Sequence, residues 1–284
     1  MSEQQTYGKV ILASAGPGDP ELVTIKTARW LAQADVVLTD RLVSPVILDT
    51  YVNKNATIIY VGKQCRRGIS TPQQTINELL VDYAANNKTV VRLKGGDTNI
   101  FSNVLDELET LVQHKIPYEI VPGVTAALGA AAYAGIPLTA RGLSVGVRFL
   151  TYYKSDIVTP ATWKELAQTD DTLVFYMSGG TLPTVVEQLT LHGIDEAKKL
   201  AVIEQATTPL QQIHTCSLYQ YTDQLKDKTY RSPSLVIIGK VVTLHEQFAW
   251  LPNINSTEHY FTPLTGRLTQ LEDSTTKKRH VSRA

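Results

Sequence analysis

Residues 9–20 read Lys9-Val10-Ile11-Leu12-Ala13-Ser14-Ala15-Gly16-Pro17-Gly18-Asp19-Pro20, an apolar strand-forming run that stops on two glycines and two prolines. A strand that ends in such a turn is how an α/β unit begins, with the turn at the strand's carboxyl end. The turn is not a dinucleotide fingerprint. In that fingerprint a helix opens on the third glycine of GxGxxG, whereas here Pro20 intervenes and the next helix is expected to start at Thr24. The design recurs outward from this point: strands expected near 35–39, 57–61, 89–93 and 118–121 alternate with amphipathic segments. The clearest helix has Thr71 as N-cap and Pro72 in its first turn, carries Ile76, Leu79, Leu80 and Tyr83 on one stripe, and stops before Asn86-Asn87. A second strand series is expected at 147–151, 172–177, 200–203 and 235–238, with a helix over 182–191 ended by Gly193. The expected fold class is α/β with two domains, 1–138 and 139–252, followed by a polar, mobile tail over 253–284.

Composition narrows the function. The chain has 284 residues, 43% hydrophobic and 19% charged, and Lys plus Arg balances Asp plus Glu at 27 each. No apolar stretch reaches the roughly 18–20 residues of a membrane span, and a zero net charge does not recommend nucleic acid as a partner. The first residues lack a secretory layout, and two cysteines as distant as Cys65 and Cys216 do not suggest a disulfide framework, so a cytoplasmic protein is expected. The six histidines never fall at a metal-ligand spacing, and no Gly-x-Ser-x-Gly elbow is present. No metal is therefore expected.

Ligands of open α/β sheets gather at strand carboxyl ends, which directs attention to the residues there. The second strand ends in Asp40-Arg41, the third in Val61-Gly62-Lys63 followed by Arg66 and Arg67, and the fourth in Lys94-Gly95-Gly96-Asp97. Several cations at one sheet edge suit a ligand bearing carboxylates, and paired glycines let backbone approach a small molecule closely. Residues 121–132, VPGVTAALGAAA, open a helix of small side chains against which a ligand could lie. Each feature also has a structural reading, as a tight turn, a solvated pair or close helix–sheet packing.

Taken in order, AGPGDP, DRLVSP, YVGK, RLKGGD and PGVTAALGAAAYAGIPLT resemble the tetrapyrrole methylase family, over roughly residues 9–245. The resemblance implies a class III methyltransferase, with two α/β domains, an active-site cleft between them and a homodimer. Its implied activity is S-adenosylmethionine-dependent C-methylation of uroporphyrinogen III to precorrin-2, a step of siroheme and corrinoid synthesis, releasing S-adenosylhomocysteine. The family's cofactor contacts correspond to Pro17, Gly95, Gly96, Asp97, Ile100, Thr125, Ala126, Met177 and Ala206. The last stands where a glycine is usual, and a main-chain contact survives that exchange if φ is negative. Asp40 matches the family's proton acceptor and Lys63 its donor. The substrate's carboxylates would be met by Arg41, Arg66, Arg67 and Arg141. The partner is then a small tetrapyrrole, not a nucleic acid or a membrane.

Departures from the family lie on the substrate side. The family's GGDPFIFGRGGEE is GGDTNIFSNVLDE here, with Asn103 in the arginine's place and Val104-Leu105 for two glycines, so an ordered helix is expected from near Ser102. Ala140 precedes Arg141 where histidine is usual, Tyr152-Tyr153 replace Gly-His, and Ser14 stands where glycine is common. Two alternatives follow: another precorrin methyltransferase of the same fold, or a protein that binds tetrapyrrole or cofactor without turnover.

Overall fold

The computed structural model describes residues 7–64, 69–153, 156–254 and 256–261. The described residues form two compact units, one made of those up to Val124 together with Phe261, the other of Thr125–Tyr260.

The first unit is built on five parallel strands, β1 Val10–Ser14, β2 Val36–Thr39, β3 Thr57–Tyr60, β6 Val90–Lys94 and β7 Tyr118–Val121, in the order β3-β2-β6-β1-β7. A two-stranded hairpin, β4 Lys63–Gln64 with β5 Ile69–Ser70, follows β3 and was not expected from the sequence. Parallel strands need crossovers, and helices cover both faces. On one face Ile11, Ala13, Val37, Val91 and Leu93 pack with Leu31 of α1 Ile25–Gln33 and with Ile47 and Leu48 of α2 Pro45–Tyr51. On the other, Val10, Leu12, Val36, Leu38 and Val90 pack with Ile76, Leu80 and Ala84 of α3 Gln73–Ala85 and Leu111 of α4 Val104–Gln113. The period-two alternation of the strands thus serves two cores, and it turns Arg92 and Lys94 to the same face as Val90, towards α4.

Helix starts follow local chemistry. Thr24 caps α1, its hydroxyl accepting the Thr27 N–H at 3.2 Å. At α3 the cap position is Pro72, one residue later than expected, because its backbone (φ −55°, ψ 143°) is still extended. The helix expected near Ser102 begins at Val104.

The second unit runs α5 Ala126–Tyr133, β8 Val147–Thr151, α6 Pro160–Gln168, β9 Thr172–Tyr176, α7 Leu182–Leu191, β10 Lys199–Glu204, β11 Gln212–Ser217, α8 Tyr221–Gln224, β12 Ser234–Gly239 and α9 His245–Phe248. Its sheet has the order β11-β10-β12-β9-β8, with β8 and β9 parallel and the other neighbours antiparallel. Trp163 and Leu166 of α6 and Leu182, Val185 and Leu189 of α7 fill the core against Leu173, Phe175, Leu200, Val202, Val236 and Ile238. The edge strand β11 was not legible in the sequence, since Gln212, His214 and Thr215 weaken its apolar signal.

Two boundaries differ from expectation. The units divide before α5 rather than after Leu138, because the first turn of α5 is tied to β9: the Tyr176 hydroxyl bonds the Thr125 hydroxyl at 2.7 Å and accepts the Ala127 N–H at 3.0 Å. The polar segment from 253 is hydrogen-bonded to β11 through Asn253 and Ser256, and to Gln205, just past the end of β10, through Glu258 and Tyr260. Residues 262–284 lie outside the described residues. Among those described, no helix is long and apolar enough to cross a membrane.

Candidate active site

Because all five strands of the first sheet run the same way, the loops after β1, β2, β6 and β7 emerge at one edge. They are bonded to one another there. Gly16 and Gly96 exchange N–H···O bonds of 3.1 and 2.7 Å, joining the β1 and β6 loops. The Asp40 carboxylate, at the end of β2, accepts the Leu42 N–H on Oδ1 at 2.8 Å and the Gly95 N–H on Oδ2 at 3.1 Å. Its direction is therefore set by the loop that carries Gly95 and Gly96. The buried Asp97 carboxylate accepts the N–H of Asn99 at 2.8 Å and of Gly123 at 2.7 Å, so it fastens the β6 loop to the β7 loop. Ser14, where the family favours glycine, accepts the Thr98 N–H at 2.9 Å.

The two glycines after Lys94 have reasons of their own. A Cβ on Gly95 would come within 2.9 Å of Leu42 Cβ, and Gly96 has φ +72°, a conformation costly for any other residue. Both constraints hold the loop flat against its neighbours and leave main chain at its surface. Pro17 is buried in the β1 turn, and Ile100 closes a turn with its N–H on Asp97 O at 3.3 Å.

Beneath this edge lies a buried ion trio. Glu107, in the first turn of α4 and fully buried, accepts Arg92 Nε at 3.0 Å and Lys94 Nζ at 2.9 Å. Arg92 also donates to Leu38 O at 3.3 Å and Leu93 O at 3.2 Å, locking β2 to β6 just before Asp40 and Gly95. Burial pushes the Lys94 ammonium below its ordinary range, with Glu107 pulling the other way and Arg92 adding to the fall.

The segment between Asp97 and α4 is tightly wound. Phe101 (φ 50°) and Asn103 (φ 55°) are both left-handed, and the Asn103 amide donates to Asp106 Oδ2 at 2.7 Å. Non-glycine residues there store on the order of 1–3 kcal/mol each. Arg41 is half-buried in the turn that follows Asp40. The backbone of Lys63 opens the β4–β5 hairpin; its side chain, Cys65, Arg66 and Arg67 lie outside the described residues.

In the second unit, β8, β9 and β10 all point their carboxyl ends to one edge. Tyr153, Met177 and Ala206 follow those ends, and the Tyr176 hydroxyl brings Thr125 and Ala126 to the same edge. Met177 is left-handed (φ 56°), about half exposed at 51%, and its sulfur receives the Tyr153 hydroxyl at 3.0 Å. Ala206 is flanked by left-handed Gln205 and Thr207 but is not itself left-handed, which is the condition under which alanine can stand for the family's glycine. Behind it, Glu204 takes His214 Nε2 at 2.8 Å and the Arg231 N–H at 2.8 Å; burial opposes its charge, but these bonds hold the carboxyl below its usual range. Arg141 is not at this edge. It is exposed in a turn closed by Ala140 and Ser144, and Ser144 is bonded to Thr172 at the start of β9, a strand length of about 16 Å from Met177. Cys216 is buried, which pushes its thiol up to about 11, as suits an inert core residue.

Sequence reasoning missed the Arg92–Glu107–Lys94 trio, Tyr176 and Gln205. A signal for the trio was present: two cations two residues apart in a strand that must be buried on both faces demand an anion. For Tyr176 and Gln205 there was none.

A parallel five-stranded unit followed by a mixed five-stranded one, both with ligand-type loops at strand carboxyl ends, is the two-sheet α/β fold of class III methyltransferases. The chain belongs to the tetrapyrrole (corrin/porphyrin) methylases, whose family model matches residues 9–222. It resembles the uroporphyrin-III C-methyl transferase of Thermus thermophilus, with 34% identity and a TM-score of 0.69 over 84% of this chain and all of that one. A structure of the Thermus enzyme complexed with S-adenyl homocysteine has the same identity and TM-score, over 83% of this chain and 93% of that one. A cobalt precorrin-4 methyltransferase aligns at 25% identity and a TM-score of 0.74, over 85% of this chain and 99% of that one. The siroheme synthase of Nitrosomonas europaea is 45% identical over 249 residues, 88% of this chain but 52% of the relative. The chain therefore spans about half the length of the siroheme synthases it matches.

Proposed function

We propose that this chain transfers methyl groups from S-adenosylmethionine to pyrrole carbons of uroporphyrinogen III, forming precorrin-2, the methylating step of the longer siroheme synthases. The observation that carries this reading is the bond between Asp40 and the Gly95 N–H: it joins the proposed proton acceptor to the proposed cofactor loop. The similarity to uroporphyrin-III C-methyl transferases, one of them complexed with S-adenyl homocysteine, supports substrate and cofactor alike.

The residues fit such a cofactor. Gly95, Gly96 and Ala206 present main chain without large side chains, the start of α5 at Thr125-Ala126 offers N–H groups to a carboxylate, and Met177 stands half exposed at the same edge as Ala206. Pro17, Asp97 and Ile100 are assigned to the cofactor on the family resemblance, with Asp97 shaping its own loop through two backbone bonds. S-adenosylmethionine supplies an electrophilic methyl group for in-line attack by an electron-rich pyrrole carbon. Once the carbon–carbon bond has formed, the ring must lose a proton, and Asp40 takes it at a carboxylate oxygen whose second lone pair remains after its backbone bond. Lys63 serves as the proton donor. Arg41, Arg66 and Arg67 hold ring carboxylates with their planar forks, and Arg141 is assigned to substrate on the family resemblance alone. The same resemblance supports a homodimer acting in the cytoplasm on a small tetrapyrrole.

A second reading, binding without turnover, draws on Asn103 and Tyr153 standing where the family has arginine and histidine. Anaerobic incubation with uroporphyrinogen III and S-adenosylmethionine separates the two. Dimethylated product by mass spectrometry is expected; folded protein that binds S-adenosylhomocysteine yet forms no product would establish the second reading.

A further inference from the structure

The loop that carries Ala206 is held in an unfavourable backbone. Gln205 and Thr207, on either side of it, are left-handed at φ 48° and 64°, which non-glycine residues sustain only where surrounding bonds over-determine them. Some of those bonds are local. The Gln205 N–H donates to Pro233 O, the Thr207 N–H to Gln211 Oε1 and the Thr208 hydroxyl to Gln205 O, each at 2.8 Å.

The others come from far along the chain. The Gln205 side chain, 1% exposed, accepts the Tyr260 N–H on Oε1 at 2.7 Å and donates from Nε2 to Glu258 O at 3.2 Å. It thus reads one donor and one acceptor of a single segment, Glu258 to Tyr260. The same segment is fastened further back, where Asn253 accepts the Ile213 N–H at 2.7 Å and donates to Ile213 O at 2.8 Å, and Gln212 donates to Ser256 O at 2.6 Å. Since β11 is the outer strand of its sheet, Asn253 supplies the partner that a further strand would otherwise give to Ile213. Without residues 256–260 the buried Gln205 Oε1 would lose its Tyr260 donor and Nε2 would keep only its longer bond to Leu210 O at 3.4 Å, and an under-satisfied buried amide is costly enough to let the loop rearrange.

We propose that Asn253 and the segment Ser256–Tyr260 clamp the Ala206 loop in the conformation that receives the adenosyl cofactor, with Gln205 as the positioning residue through which the clamp acts. The inference rests on the assignment of Ala206 to the cofactor made above. Linkage makes it reciprocal: if the docked segment favours cofactor binding, the cofactor favours docking by the same factor.

The test pairs calorimetric S-adenosylhomocysteine affinity with hydrogen exchange of the Tyr260 N–H, in the full chain. S-adenosylhomocysteine should slow that exchange in the unmodified protein. Gln205→Ala should weaken S-adenosylhomocysteine about five- to tenfold and abolish the protection, raising KM for the cofactor while leaving kcat at saturating cofactor unchanged. Asn253→Ala, at an exposed position on the outer edge of β11, should act in the same direction and serves if Gln205→Ala does not fold. Ala206→Leu should abolish binding. Loss of binding in Ala206→Leu with unchanged affinity and Tyr260 exchange in the clamp variants overturns the clamp alone. Unchanged affinity in Ala206→Leu overturns the assignment of Ala206, and the clamp with it.

Discussion

Replacing Glu107 by Gln would leave Arg92 and Lys94 buried with no carboxylate between them, two residues apart on β6. Removing one partner of a buried pair costs about 3–5 kcal/mol, because the remaining charge keeps its desolvation penalty. At about 2–4 °C per kcal/mol for a protein of this size, the melting temperature should fall by roughly 6–20 °C at pH 7. The pH dependence sharpens the expectation. Burial already lowers the folded-state pKa of Lys94, and Glu107 is what opposes that fall, so the variant's Lys94 titrates lower still. Between that lowered value and the unfolded value of about 10.4, the unfolded chain binds more protons than the folded one, and stability rises with pH. The penalty of Glu107→Gln is therefore greatest at neutral pH and shrinks as pH rises through the variant's Lys94 pKa. Calorimetric melts of both proteins at pH 7 and pH 9 measure this. A loss below about 1 kcal/mol, or one that is the same at both pH values, would refute the reasoning from an uncompensated buried charge.

Asp40→Asn should cut turnover by about 10²- to 10⁴-fold through loss of the proton acceptor, with a far smaller change in S-adenosylhomocysteine affinity. Its amide also faces one of the two backbone N–H donors, from Leu42 and Gly95, with a second donor, so melting should show a loss of about 1–3 kcal/mol; equal losses of turnover and affinity would contradict the assigned role. Asn103→Arg should lower KM for uroporphyrinogen III by up to the 1.5–3 kcal/mol of about one charge-assisted bond, at a stability cost of roughly 1–2 kcal/mol, because φ is 55° there. If KM does not move and Arg41→Ala and Arg141→Ala are also silent in steady-state assays, these arginines do not bind the macrocycle. Glu204, whose carboxyl is held below its usual range, contributes stability above its unfolded pKa of about 4.3 that is lost as pH falls through the lower folded value. Glu204→Gln should thus lower the melting temperature at pH 7 and flatten the acid side of the stability profile; an unchanged acid slope would assign that loss to other carboxyls.

The alternation of apolar runs and turns determined the α/β class, because parallel strands buried on both faces read as continuous apolar segments and their loops concentrate glycine and proline. It also located Asp40, Gly95, Gly96 and Asp97 at strand ends, since those motifs are contiguous in the chain. The resemblance alone assigns Met177 and Ala206 to the cofactor, and tertiary structure alone decided how the edges are held. Asp97 and Gly123 meet only when β7 lies beside β1, Glu107 meets Arg92 and Lys94 only when α4 covers β6, and α5 is tied to the second unit by the Tyr176 hydroxyl, by Gln211 on Tyr133 O and by Trp250 on Ala132 O. Tertiary packing also bonded Asn253 and Ser256 to β11 and Glu258 and Tyr260 to Gln205, although the composition of this segment predicts no such docking. Composition measures how much apolar surface a segment can bury, whereas this segment is held by amide hydrogen bonds from Gln205, Gln212 and Asn253, whose partners lie about 40 to 55 residues away and leave no local pattern.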